Sequence, residues 1–253
     1  MIKRLLAVIT VFFASIQFVS AQLSEASLTI HVAAAANLQA VLSSKIIPAF
    51  ESQCAIQVIP VFGATKVLAQ QEENGAPFDV FIAADTATVE KLAGENLLDK
   101  ASIKPYAIGT LVIWTSNTTG LHPKSISDLT GPSYQHIAVA NPKTAPYGEA
   151  AIESITSANL LDTLTPKIVY AENISQALQY AVSGNADAAF TALSLVIDRT
   201  DGSYIVVPDK LHKPIIQSLA LAPYASPSAK LFAAYLTSKA VNKIWSASGY
   251  RLP

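Results

Sequence analysis

The stretch Leu28-Thr-Ile-His-Val-Ala-Ala-Ala-Ala-Asn-Leu-Gln-Ala-Val-Leu42 decides the architecture. It opens on an apolar β-type run. From Leu38 onward, Leu38, Val41, Leu42, Ile46, Ala49 and Phe50 fall on one helical face. Between run and helix lie only alanines and Asn37, so a strand passes into a helix through a turn almost bare of side chain. The same passage recurs at Phe62 to Leu68, Asn141 to Glu149 and Ala171 to Ala177. Each helix start leaves backbone N–H groups without intrahelical partners, and the helix dipole adds partial positive charge there. In an open α/β sheet such turns lie at the ligand-binding edge. Four of them, nearly free of Lys and Arg, suggest a cradle for a small oxyanion.

Further strands are expected at Ile56 to Phe62, Asp79 to Ala83, Tyr106 to Thr115, His136 to Ala140, Lys167 to Tyr170, Asp187 to Thr191, Tyr204 to Val207 and Ile215 to Leu221. Helices lie between them, and the chain ends on two helical stripes, Leu231, Ala234 and Tyr235, then Val241, Ile244 and Trp245. Pro48 is expected to kink or end the first helix early. Strands alternating with helices predict an α/β fold with largely parallel sheets. No Pro- or Gly-rich linker divides the chain, so two lobes would be joined by extended crossovers, best placed at Tyr106 to Leu111 and Ile215 to Leu221. That gives a discontinuous first lobe (22–107 plus 218–253) and a second lobe (108–217), hinged to close on a ligand.

Lys3 and Arg4, the uncharged run Leu5 to Val19 and the small-residue ending Val19-Ser20-Ala21 read as a signal peptide over residues 1–21. No Cys stands there for lipid attachment. Removing Lys3 and Arg4 leaves 15 basic residues against 18 acidic, a formal charge of −3. This argues against nucleic acid or an anionic membrane surface as partner, and it requires anion capture to be local. Cys54 is the single cysteine, so no internal disulfide forms. His31, His122, His136 and His212 are widely spaced, which argues against a metal-cation site. Gly63-Ala64-Thr65-Lys66 departs from a phosphate loop at three places, and there is no G-x-S-x-G elbow, so the chain does not read as an enzyme.

A tetrahedral dianion accepts hydrogen bonds only. Its site must offer donors, and charge-assisted bonds of roughly 1.5–3 kcal/mol each can offset lost hydration. Ala33 to Ala36 and Gly63-Ala64 leave backbone open to approach; Asn37, Thr65 and Tyr147 add neutral side-chain donors; Asn173 can cap its helix. Lys66, a cation in a first turn, either faces solvent or lends the anion some charge.

Val32-Ala-Ala-Ala-Ala-Asn37, Phe62-Gly-Ala-Thr65, Gly75-Ala-Pro-Phe-Asp-Val-Phe-Ile-Ala-Ala-Asp85, Asn141-Pro-Lys-Thr-Ala-Pro-Tyr-Gly148 and Ala171-Glu-Asn-Ile-Ser-Gln-Ala177 resemble the periplasmic molybdate-binding proteins, in order, from about Leu28 to Pro253. The resemblance implies a two-lobed periplasmic-binding-protein fold of type II that closes over molybdate or tungstate. It also implies a periplasmic location, a monomer, no cofactor beyond the ligand, and a membrane permease of an ABC importer as partner. Carried over by position, the ligand-binding residues are Ala36, Asn37, Thr65, Tyr147 and Ile174, the last through its backbone N–H. Some members carry Ser where Asn37 stands and Tyr where Ala192 stands; small residues are commoner at Lys66. The alternative is a receptor for sulfate or another tetrahedral oxyanion. A protonated phosphate would also need an acceptor, and Glu149 and Glu172 lie near two junctions. A secreted hydrolase would need a His within reach of a cleft Ser.

Overall fold

The computed structural model describes residues 28–253, and the expected signal peptide, residues 1–21, lies outside the described residues. Among them, ten strands form two sheets. β1 (Thr29–Ala35), β2 (Gln57–Gly63), β3 (Val80–Ile82), β4 (Lys104–Gly109) and β10 (Ile215–Leu221) make the first, in the order β2-β1-β3-β10-β4. β5 (Leu111–Ser116), β6 (Ile137–Ala140), β7 (Ile168–Ala171), β8 (Ala188–Ala192) and β9 (Gly202–Val206) make the second, in the order β7-β6-β8-β5-β9. The longer helices are α1 (Thr65–Glu73), α2 (Ala87–Gly94), α3 (Pro146–Ser157), α4 (Ile174–Val182), α5 (Pro227–Leu236) and α6 (Lys239–Ala247).

Each sheet is mixed. β1 runs parallel to β2 and β3, and β6 runs parallel to β7 and β8, as strand–helix alternation requires. The remaining pairings, β10 with β3 and β4, and β5 with β8 and β9, are antiparallel. Those antiparallel strands include the ones that carry the chain between lobes. Val32, Ala33 and Ala34 of β1 are fully buried, which is why this central strand is apolar on both faces.

The lobe boundaries differ from the expected 107/108 and 217/218. β4 ends at Gly109 and β5 begins at Leu111 in the other sheet, so the chain changes lobe at Thr110. β10 joins the first sheet from its first residue, pairing Ile215 with Gly109, Ile216 with Ile108 and Gln217 with Ala107. The return crossing therefore precedes Ile215 instead of lying within Ile215 to Leu221. Apolarity continues unbroken through the first crossing, so the sequence pattern carries no mark of the change of sheet. A bulge between Gln217 and Ser218 re-aims the side chains of β10.

Pro48 does not end the first helical stretch. A 3-10 turn (Ala36–Leu38), an α turn (Gln39–Val41), a π turn (Leu42–Ile46) and a last α segment (Ile47–Glu51) run on continuously. Pro48 falls in the first turn of that last segment, where a missing N–H is tolerated, and the widened π turn ahead of it makes room for the ring.

The C-terminus packs back beneath the hinge strands. Trp245 is fully buried between Tyr106 and Tyr250, each with ring centres 5.2 Å away. Ile108 and Arg251 exchange backbone hydrogen bonds of 2.8 and 3.0 Å, which pins Tyr250 under the crossing.

Glu72 of α1 is buried, its Oε2 has no hydrogen-bond partner among the described residues, and desolvation pushes its carboxyl up to about 7. The folded state thus holds this proton where the unfolded chain has released it. Stability is expected to fall as pH rises from about 4.5 to about 7. Glu72→Gln should be more stable than the parent at pH 8 by about 1–3 kcal/mol, with the gain vanishing near pH 4, as read by urea unfolding.

Candidate functional site

The four strand-to-helix passages meet between the lobes. Ala36, Asn37, Ala64 and Thr65 from the first lobe, with Ala145, Tyr147 and Ile174 from the second, line one small cavity with an open volume of only about 10 Å³. The five residues expected to bind ligand are thus brought together, and each is at most 4% exposed. Among the described residues no charged side chain lines the cavity.

Sequence dictates this placement locally. β1 and β2 are in parallel register, with Ala35 opposite Gly63, so their following turns open side by side. Gly148 lets α3 start against β6, because a Cβ there would strike the Ala140 carbonyl. Asn173 caps α4, its Oδ1 accepting the Gln176 N–H at 3.0 Å, and the N–H of Ile174 at the helix start is left for other acceptors.

The donors can be counted atom by atom. Ala36, Asn37, Thr65, Tyr147 and Ile174 all lie in first turns, where N–H groups lack intrahelical acceptors. Thr65 Oγ1 accepts the Ala84 N–H at 3.0 Å, which leaves its own hydrogen to donate. Tyr147 Oη accepts from Gln217 Nε2 at 3.0 Å. Burial holds the Tyr147 phenol well above its usual range, so it stays a neutral hydroxyl. Gly109 makes room for that hydroxyl, since a Cβ there would collide with it and with the Gln217 amide.

Asn37 differs from expectation. Both hydrogens of its amide are spent inside the protein, on Gln217 Oε1 and Tyr250 Oη, each at 2.9 Å. Its Oδ1 is buried with no partner among the described residues. Sequence reasoning missed Gln217, Tyr106 and Tyr250 altogether. The available signal was Gln217-Ser218 interrupting the apolar run from Ile215 to Leu221.

The lobes are shut on the cavity. Ser175 Oγ donates to the Ala36 carbonyl and Ser194 Oγ to the Asn37 carbonyl, both at 2.9 Å across the cleft. Lys66 joins the lobes as well: its N–H donates to the Thr144 carbonyl at 3.0 Å, and its Nζ lies 3.5 Å from Glu149 Oε2. Its charge is met by Glu149 and does not line the cavity. Beside the cavity a wider groove of about 420 Å³ includes Lys66, Asp85, Glu149, Glu153 and Lys213 in its lining, charges of both signs. Among the described residues no group of three or more His, Cys, Asp or Glu side chains is placed to hold a metal ion.

Two α/β lobes closed over a small chamber of neutral donors have the form of a solute-binding protein. Comparison with known proteins agrees: the family model described as bacterial extracellular solute-binding protein matches residues 30–251, and the chain belongs to that family. It is 36% identical over 232 residues to the molybdate-binding protein ModA of Azotobacter vinelandii, covering 88% of this chain and 90% of that one. The corresponding protein of Rhodobacter capsulatus is 36% identical over 191 residues, 75% of each chain. Among solved structures, the periplasmic molybdate-binding protein of Azotobacter vinelandii superposes with a TM-score of 0.82 at 31% identity, over 88% of this chain and 99% of that one.

Gly109→Ala tests the packing of the chamber. The added methyl must displace Tyr147 or Gln217, so unfolding measurements should show a loss of about 1–3 kcal/mol.

Proposed function

We propose that this chain is a periplasmic receptor that captures molybdate, and tungstate with it, between its lobes and delivers it to the membrane permease of an ABC importer. The small cavity at four helix starts, lined by uncharged residues of both lobes, carries the reading. A dianion held there meets N–H and O–H groups from both lobes, so only the closed form offers the whole donor set, and bound ligand favours closure. The permease would read that closure as occupancy. The names of the 36%-identical relatives support molybdate as the solute.

The reading has no catalytic step and no resident cofactor. Ala36, Asn37, Thr65, Tyr147 and Ile174 serve as binding groups, the oxyanion is cargo, and the receptor works as a monomer exported by the residue 1–21 leader.

Calorimetric titration of the mature protein with molybdate, tungstate, sulfate and phosphate tests this. Tight molybdate binding is expected; sulfate as the tight ligand would transfer the protein to the sulfate alternative. Thr65→Val keeps the shape of the side chain but removes its hydroxyl. It should weaken molybdate binding by about 1–3 kcal/mol, with secondary structure unchanged by circular dichroism.

A further inference from the structure

The buried polar cluster behind the cavity contains one conflict and one unmet acceptor, and both turn on the same two amides. Tyr106 Oη lies 2.8 Å from Gln217 Oε1 and 3.0 Å from the Ala83 carbonyl. A phenol has one hydrogen, so it cannot serve two acceptors fully. Asn37 Oδ1, meanwhile, is an acceptor buried without a donor. Each arises from which end of a carboxamide faces which neighbour.

A half-turn of both amides removes the first conflict and turns the unmet acceptor of Asn37 into an unmet donor. Gln217 Nε2 then donates one hydrogen to Tyr106 Oη and the other to Asn37 Oδ1, while Tyr106 gives its hydrogen to the Ala83 carbonyl. Gln217 Oε1 accepts the Tyr147 hydroxyl hydrogen, so Tyr147 serves the oxyanion through its backbone N–H instead of its hydroxyl. Tyr250, 2.9 Å from both the Asn37 amide and the Asn37 carbonyl, donates to Oδ1, and Ser194 satisfies the carbonyl. Every other hydrogen of the cluster then finds an acceptor, and the two hydrogens of Asn37 Nδ2, which takes the place of the orphaned oxygen, are left for a ligand of the cavity that Asn37 lines. Neither amide can turn alone, because one then sets two donors or two carbonyl oxygens face to face.

We propose that Gln217 is a positioning residue for the oxyanion site: by turning in concert with Asn37 it directs the Asn37 NH2, instead of its carbonyl oxygen, toward the cavity. The role rests on the oxyanion reading above and deepens it. With Oδ1 toward the ligand, the site offers an acceptor and suits an oxyanion carrying a hydroxyl, such as hydrogen phosphate. With Nδ2 there, it suits a fully deprotonated one, such as molybdate. Gln217 thereby selects between two classes of tetrahedral anion without touching either. Its place on β10, at the bulge and just after the return crossing, brings one amide against Asn37 of the first lobe and Tyr147 of the second.

The test pairs a variant with a direct view of the amides. Gln217→Leu keeps the bulk but cannot hold Asn37 in either orientation. Its molybdate Kd should rise about tenfold while its phosphate Kd does not rise in step, so the selectivity ratio falls. An unchanged molybdate Kd, or an equal rise for both anions, would mean Gln217 is only structural and would overturn the proposal while leaving the receptor reading intact. A neutron structure of the wild-type protein, with and without molybdate, needs no variant to fold. Gln217 nitrogen facing Tyr106 and Asn37 nitrogen facing the cavity are expected; oxygen in those places refutes the role. Wild-type protein that binds no molybdate in the same titration would overturn the receptor reading, and this role with it.

Discussion

The proposed guest, a dianion held away from water without a countercharge, would constrain everything else in this molecule. Removing such an ion from water costs far more than any single contact returns, so several donors must converge on it at once. Helix starts are the cheapest source, because their N–H groups are unpartnered by construction and point along the axis. Four starts are needed in one place, and the parallel half of each sheet provides two. The small residues Ala35-Ala36, Gly63-Ala64 and Ala145 that line the cavity suit the same need, since larger side chains would stand between the amides and the proposed guest.

Two lobes, and not one, follow from access. A site with this little open volume has to open to fill, and donors from both halves make closing and binding one event. The contacts across the cleft fit that role. Ser175 and Ser194 bond to main-chain carbonyls beside the cavity, whereas Lys66 and Glu149 meet at its rim, where screening keeps an exposed pair weak. A closed form held by modest contacts can reopen.

Behind the donors lies a layer of buried polar groups whose value comes from complete satisfaction. Tyr106, Tyr147 and Tyr250 are all held neutral by burial, so each remains a single-hydrogen donor with lone pairs to offer. In such surroundings one misdirected amide leaves an orphan, and the orientation of one amide settles that of the next. On the proposed function, selectivity among small oxyanions would then depend on hydrogen-bond direction as well as cavity size. Trp245 and the Ile108–Arg251 bridge hold Tyr250 in this layer, which gives the C-terminal helices a part in a site they do not touch.

The junctions were legible in the sequence because each is local. An apolar run, a bare turn and a 3.6-residue stripe declare a strand entering a helix wherever they occur, and Ala36, Asn37, Thr65, Tyr147 and Ile174 could be named from those turns and their family likeness. The lobe boundaries were less legible. Tyr106 to Thr115 is one unbroken β-type run, yet Thr110 divides it between two sheets, and apolarity is the same on either side. Pro48 misled for a similar reason, since a π turn that absorbs it leaves no mark in composition. Sequence by itself determined which backbone groups are left free and what kind of guest they suit. Only the tertiary structure decided where each hydrogen goes, because Asn37, Tyr106, Tyr147, Gln217 and Tyr250 lie far apart along the chain and acquire donor or acceptor roles from neighbours that folding alone supplies.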